Sequence, residues 1–176
     1  AITWTDIKKK LKPTDLAIEF AMFTDTTIKQ EVYIALVLKK GMSSPEVVKL
    51  FTSDTLKALS LTDIYKTPKL YNILWQPLSK YLKGVKNVYF SPCGLLHTIG
   101  IEYLCNKNDE IFSNQYAVYR LTSTRELVLG SSPNTNLKAA TFGGISYDYI
   151  ETDKDNTDYE RGGGASFLNG TKEESE

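Results

Sequence analysis

Two apolar runs within the first forty residues constrain the fold most. Leu16, Ile18, Phe20 and Met22 alternate with Asp15, Ala17, Glu19 and Ala21. That period of two describes a strand with one covered face. From Val32 to Leu38 the sequence is apolar almost without a break, as expected of a strand covered on both faces. The link between them, Thr24 to Glu31, is polar. The pair therefore reads as a β-hairpin.

Helical signals surround this hairpin. Thr3 offers a short side chain as a cap, Asp6 sits in the first turn, and Trp4, Ile7 and Leu11 share one face. Pro13 ends that helix. Pro45 to Phe51 reads as a third strand and Asp54 to Leu59 as a short helix. Pro68 stands in the first turn of a longer helix. Its inner face is Leu70, Ile73, Leu74, Leu78, Tyr81 and Leu82, with a kink at Pro77 and Gly84 as its C-terminal cap.

After Gly84 the character changes. Val85 to Phe90 is rich in strand formers and runs into a turn, Ser91-Pro92-Cys93-Gly94. Leu95, Leu96, Ile99, Ile101 and Leu104 form a second apolar cluster. Tyr116 to Leu121 reads as a strand. Ser123 to Gly130 reads as a short helix with a Ser123–Glu126 capping box. Lys138 to Ile145 is a further strand, with Gly143-Gly144 suited to a close backbone approach. Residues 146–165 hold Asp148, Glu151, Asp153, Asp155, Asp158 and Glu160 and almost no aliphatic side chains. This stretch reads as a long, mobile, exposed loop, of the kind that is functional or disordered. Thr171-Lys172-Glu173-Glu174 has the form of a capping box that opens a helix, so the expectation is a chain cut from a larger domain.

Composition excludes whole classes of function. Lys+Arg and Asp+Glu both number 21, whereas nucleic-acid binding usually leaves a basic footprint. No apolar run approaches the ~20 residues of a membrane span. Cys93 and Cys105 are too few for a disulfide framework, so a cytoplasmic protein with two reduced thiols is expected. Cys93, His97 and Cys105 are irregularly spaced and include no CxxC pair, so no metal site is expected. The acidic loop lacks the spacing of a calcium loop, and no phosphate-binding glycine motif is present, so no cofactor is expected. Asn169-Gly170-Thr171 matches a glycosylation acceptor, with nothing to show export. His97 is the single histidine. Any Ser/His/Asp or Cys/His site must use it as base. The turn at Pro92–Gly94 could fold it against Cys93, but its apolar surroundings favour a histidine in or beside the core.

One stretch carries more than its local chemistry: Asn87-Val88-Tyr89-Phe90-Ser91-Pro92-Cys93-Gly94-Leu95-Leu96, followed by Ile99-Gly100-Ile101-Glu102-Tyr103-Leu104. It resembles the CHAT family of caspase-like proteins, often associated with tetratricopeptide repeats. That family shows a strand, then Ser-Pro-x-Gly-x-Leu, then a Leu-Pro-Phe-Glu-like segment. Here Gly100 stands where the family has proline. Leu74-Trp75-Gln76-Pro77-Leu78, the run Tyr119 to Leu127, and Leu168 to Glu174 are similar as well.

The resemblance implies a caspase-like α/β fold, a mixed sheet flanked by helices and incomplete in this chain. It divides the sequence into an N-terminal α+β portion, 1–84, and the first part of the CHAT core, 85–176. It also implies a cysteine endopeptidase whose catalytic histidine and cysteine lie C-terminal to this chain. No residue here inherits a catalytic role. Lys138 to Ile145 would be the first core strand, and the acidic loop would lie near the substrate groove as a site of processing. Arg161 is the candidate substrate-binding residue. The implied partners are the remainder of the same protein, a protein or peptide substrate and a tetratricopeptide-repeat region. The alternative is a catalytically inactive caspase-like interaction module.

Overall fold

The computed structural model describes residues 1–59 and 63–130. The expected hairpin is the centre of the fold. Strand β1 (Asp15–Asp25) pairs antiparallel with β2 (Gln30–Lys39) over its whole length. The turn is closed by Asp25, whose Oδ1 accepts from the N–H groups of Thr27 at 2.9 Å and Ile28 at 3.4 Å. Strand β3 (Glu46–Thr52) adds antiparallel to the far side of β2. Strand β4 (Asn87–Ser91) adds parallel to β1, and β5 (Ala117–Arg120) adds parallel to β4. The order is β3-β2-β1-β4-β5. This is the expected mixed sheet of an α/β fold. Its hydrogen bonding crosses residue 84 without a break, since β1 and β4 pair directly.

Helices cover both faces. The parallel pairs need crossovers, because no tight turn can reverse the chain between parallel strands. The crossover into β4 carries α2 (Ser53–Lys57), α3 (Lys69–Leu74) and α4 (Ser79–Leu82). The single kinked helix expected over this stretch is broken instead. Pro68 is the N-cap of α3, and Pro77 lies in a 3-10 turn (Gln76–Leu78) between α3 and α4. A proline there removes a donor and clashes with the preceding turn. The break still leaves Leu70, Leu74, Leu78, Tyr81 and Leu82 buried. Gly84 follows α4 with φ of +71°, the left-handed geometry that favours glycine after a helix. The crossover into β5 carries α5 (Phe112–Gln115).

The main core lies between these crossovers and the sheet. Trp75 is its centre, fully buried, stacked on Phe112 at 3.8 Å and edge-on to Phe20 and Phe90. Its indole N–H donates to the Ile101 carbonyl at 2.8 Å, which satisfies the one polar atom that a buried Trp brings with it. A smaller core lies on the opposite face, where α1 (Trp4–Lys10) places Ile7 and Leu11 against Ala17 and Leu38. The Asp6 carboxylate reaches back to the Thr3 N–H at 3.1 Å and accepts from the Thr3 hydroxyl at 2.7 Å. Because α1 covers it, β1 is not half-exposed along its first half. Asp15, Leu16, Ala17 and Ile18 are all buried. Buried Asp15 is satisfied by the Lys12 N–H and the Asn87 amide, both at 2.8 Å.

No helix among the described residues is long and apolar enough to cross a membrane. The expected strand Lys138 to Ile145, the acidic loop 146–165, Arg161, the Asn169 acceptor and the Thr171 to Glu174 box all lie outside the described residues.

Candidate functional site

In open α/β sheets the site-forming crevice lies beyond the carboxyl ends of the parallel strands, where connections diverge to either side. Here that point is between β1 and β4. The chain leaves β1 toward β2 on one side and leaves β4 toward β5 on the other. The parallel register ends at Glu19 opposite Ser91, because Pro92 cannot continue a strand ladder.

Each motif residue beyond that point has a structural task. The Ser91 hydroxyl donates to the Thr122 carbonyl at 2.9 Å and ties the end of β4 to the turn after β5. Gly94 has φ of +52°, and a Cβ there would lie 2.6 Å from the Tyr33 hydroxyl. The next N–H, of Leu95, donates to that hydroxyl at 3.2 Å. A side chain at position 94 is therefore excluded both by conformation and by space. Residues Gly94–Thr98 form a 3-10 helix that drives Leu96 into the core. Leu95 points outward and is exposed, so it drops out of the expected apolar cluster, whereas Ile99, Ile101 and Leu104 are buried as expected.

Gly100 explains the departure from proline. Its N–H donates to the Tyr65 hydroxyl at 2.9 Å, a bond that proline cannot make. Two residues on, Glu102 receives Arg120 from the end of β5. Arg120 Nη2 lies 2.7 Å from Glu102 Oε2 and Nε lies 3.2 Å from Oε1. The same Nη2 donates to the Ile99 carbonyl at 2.6 Å, and the guanidinium lies 5.2 Å from the centre of the Phe90 ring. This fork holds the 3-10 segment down on β4 and β5.

Beyond β5, Glu126 opens α6 (Glu126–Leu129). Its Oε1 accepts from the N–H groups of Thr122 at 2.8 Å and Ser123 at 3.3 Å, and from the Thr122 hydroxyl. These donors hold the Glu126 carboxyl below its usual range. The helix is one turn shorter than expected, with Arg125 rather than Ser123 as its N-cap. Glu19 completes the arrangement from the floor of the sheet, its Oε2 accepting from the Thr124 N–H at 2.9 Å and from the Thr124 hydroxyl. A cleft of about 410 Å³ lies alongside, walled by Glu19, Thr124, Arg125, Ile7, Leu36 and Leu38.

The conceivable dyad is not assembled. Cys93 is half-buried, and burial, followed by the nearby Glu19 carboxylate, pushes its thiol up to about 11. A reactive cysteine requires the opposite shift, toward thiolate. His97 is exposed on the 3-10 helix, which corrects the expectation of a histidine in or beside the core. In that turn Leu96 takes the inward direction and leaves its neighbour outside. His97 and Cys93 share no hydrogen bond in the described region. Cys105 is buried and free, its Sγ 3.3 Å from the Tyr65 carbonyl. No group of three or more metal-ligating side chains occurs among the described residues.

Glu19, Tyr33 and Tyr65 were not legible as partners of the motif. The only sequence signal was a carboxylate inside an otherwise apolar strand and tyrosines whose hydroxyls required partners. No curated protein matches the chain. Residues 66–152 match the family model of the CHAT domain, and over that stretch the chain belongs to the CHAT family.

Proposed function

We propose that this chain is the N-terminal part of a CHAT-type caspase-like cysteine endopeptidase, with the catalytic histidine and cysteine supplied by sequence C-terminal to residue 176. One observation carries the reading. The family motif is present from Ser91 to Glu102, yet its own cysteine is half-buried, with the thiol pushed up, and its own histidine is exposed and makes no hydrogen bond to it. The motif therefore serves as scaffold, buttressing the strand ends beside which a substrate groove would lie. Two free thiols fit a reducing, cytoplasmic setting. The partners are then the remainder of the same protein and a peptide substrate.

The test uses the full-length protein and a peptidyl electrophile of the acyloxymethyl ketone type, with the modified residue mapped by mass spectrometry. The reading expects a single modified cysteine beyond residue 176, lost when that cysteine is replaced, with peptide hydrolysis lost in parallel. Modification at Cys93 would overturn it. Absence of both labelling and hydrolysis would point instead to an inactive interaction module.

A further inference from the structure

The end of the sheet opposite the strand-end crevice is a lysine pole. Lys8, Lys9, Lys10 and Lys12 close α1 and lead into β1. Lys39 and Lys40 end β2, and Lys83 and Lys86 flank the entry to β4. Contacts bring the three segments together. Lys40 Nζ donates to the Lys9 carbonyl at 3.0 Å, Lys39 Nζ to the Lys83 carbonyl at 3.1 Å, and the Lys86 N–H to the Thr14 carbonyl at 2.8 Å. The carboxylates at this end are few. Asp15 is buried among its own donors, Asp6 is 3.4 Å from Lys9, and Glu46 at the flank is taken by Tyr81 and Lys80. The carbonyls that cap the ends of α1 and α4 add only partial negative charge. Among the described residues, the Lys10, Lys12, Lys83 and Lys86 side chains make no hydrogen bond, and all four are exposed.

We propose that this pole is a docking surface for an acidic polypeptide segment. Charge complementarity identifies the partner as anionic, and the composition of the pole narrows its class. Every cation in it is a lysine. Arg120 and Arg125, the arginines among the described residues, lie at the other end of the sheet. Lysine meets scattered carboxylates as a point charge, whereas guanidinium forks are what bidentate phosphate recognition selects. The exposed Met22, Phe23 and Leu95 lie away from this pole, at the hairpin tip and beyond β4, and the exposed Trp4 beside it is covered on one face by the Lys8 ammonium, 5.4 Å from its ring centre. The surface is therefore suited to a flexible run of Asp and Glu, held by screened, salt-sensitive attraction.

The probe is a fluorescent oligoglutamate peptide, followed by anisotropy with the full chain. Binding is expected at low salt and weakens at least about tenfold as salt rises through the physiological range. The combined variant Lys10→Gln, Lys12→Gln, Lys83→Gln, Lys86→Gln is expected to bind at least about tenfold more weakly with its thermal melt preserved. A variant with the same charge change placed elsewhere, at Lys49, Lys57, Lys66 and Lys107, is expected to bind as the parent does. Equal loss in both variants would overturn the proposal, since net charge alone would then account for binding. So would failure of the parent chain to bind oligoglutamate, or tighter binding of phosphatidylserine vesicles or a DNA duplex. If the first variant does not fold, the pair Lys10→Gln, Lys12→Gln replaces it with the same expected direction.

Discussion

Two glycines show how single positions decide the strand-end loops. Gly94→Ala places a methyl group at φ of +52° and 2.6 Å from the Tyr33 hydroxyl. The expected cost is about 1–3 kcal/mol in urea unfolding, and Tyr33→Phe in the same chain recovers part of it by removing the obstructing oxygen. Gly100→Pro installs the residue that the CHAT pattern favours, yet it deletes the donor to Tyr65. The added ring would also press on the Tyr65 hydroxyl, and its Cβ would lie 2.8 Å from the Tyr103 ring, so the expected loss exceeds the roughly 1 kcal/mol of Tyr65→Phe alone, and Tyr65→Phe in the proline variant recovers part of it. Cys93 supplies a pH signature. A rise from 9.0 to about 11 leaves roughly a hundredfold less thiolate at neutral pH than an ordinary cysteine. Native-state alkylation is therefore expected to be slow and to keep rising with pH well past 9. The linkage has one sign. The unfolded chain loses its Cys93 proton first, so this group lowers stability as pH climbs from about 9 toward 11.

The Arg120–Glu102 fork is the feature that joins separate elements. It links β5 to the 3-10 segment, with the two side chains partly covered, at 30% and 16% exposure. Arg120→Ala should cost more than Glu102→Ala, because it also removes one of the two donors to the Ile99 carbonyl, the other being the Ile101 N–H at 2.9 Å. A double-mutant cycle is expected to return a coupling of about 1–3 kcal/mol, whereas no coupling would mean the fork is merely a surface pair. Some elements were legible in the sequence because their residues obey one local period. β1 and α1 follow that rule, while β2 and β4 were legible as short runs of apolar and strand-forming residues bounded by turns. The failures lie where tertiary contact overrides the local signal. Nothing local to Asp15 or Ala17 announces that α1 will cover them, and the 3-10 turn that exposes Leu95 and His97 while burying Leu96 has no helical or strand period to read. The Ser123–Glu126 box forms in part, since the Ser123 N–H donates to the Glu126 carboxylate, but the regular helix begins only at Glu126.

Across the molecule, the mixed sheet has two chemically distinct ends. One is the crevice beyond Ser91 and Leu121, held by Glu19, Thr124, Arg120 and Glu102. The other carries the lysine pole. The family and the fold class could be read from a motif of about a dozen residues, because its glycines and its Glu102 are there to satisfy geometry. The function could not be read as a set of catalytic positions, since the motif residues that the sequence offered are spent on hydrogen bonds and packing at the strand ends.

The most direct measurement of that division of labour is the peptidase activity of the full-length protein carrying Cys93→Ser, His97→Ala and Cys105→Ser together. If the motif is scaffold, kcat/KM for a peptide substrate stays within about threefold of the parent, a barrier change below about 0.7 kcal/mol. A loss of several orders of magnitude, with the thermal melt unchanged, would mean that the catalytic groups lie in this chain and that the account is wrong.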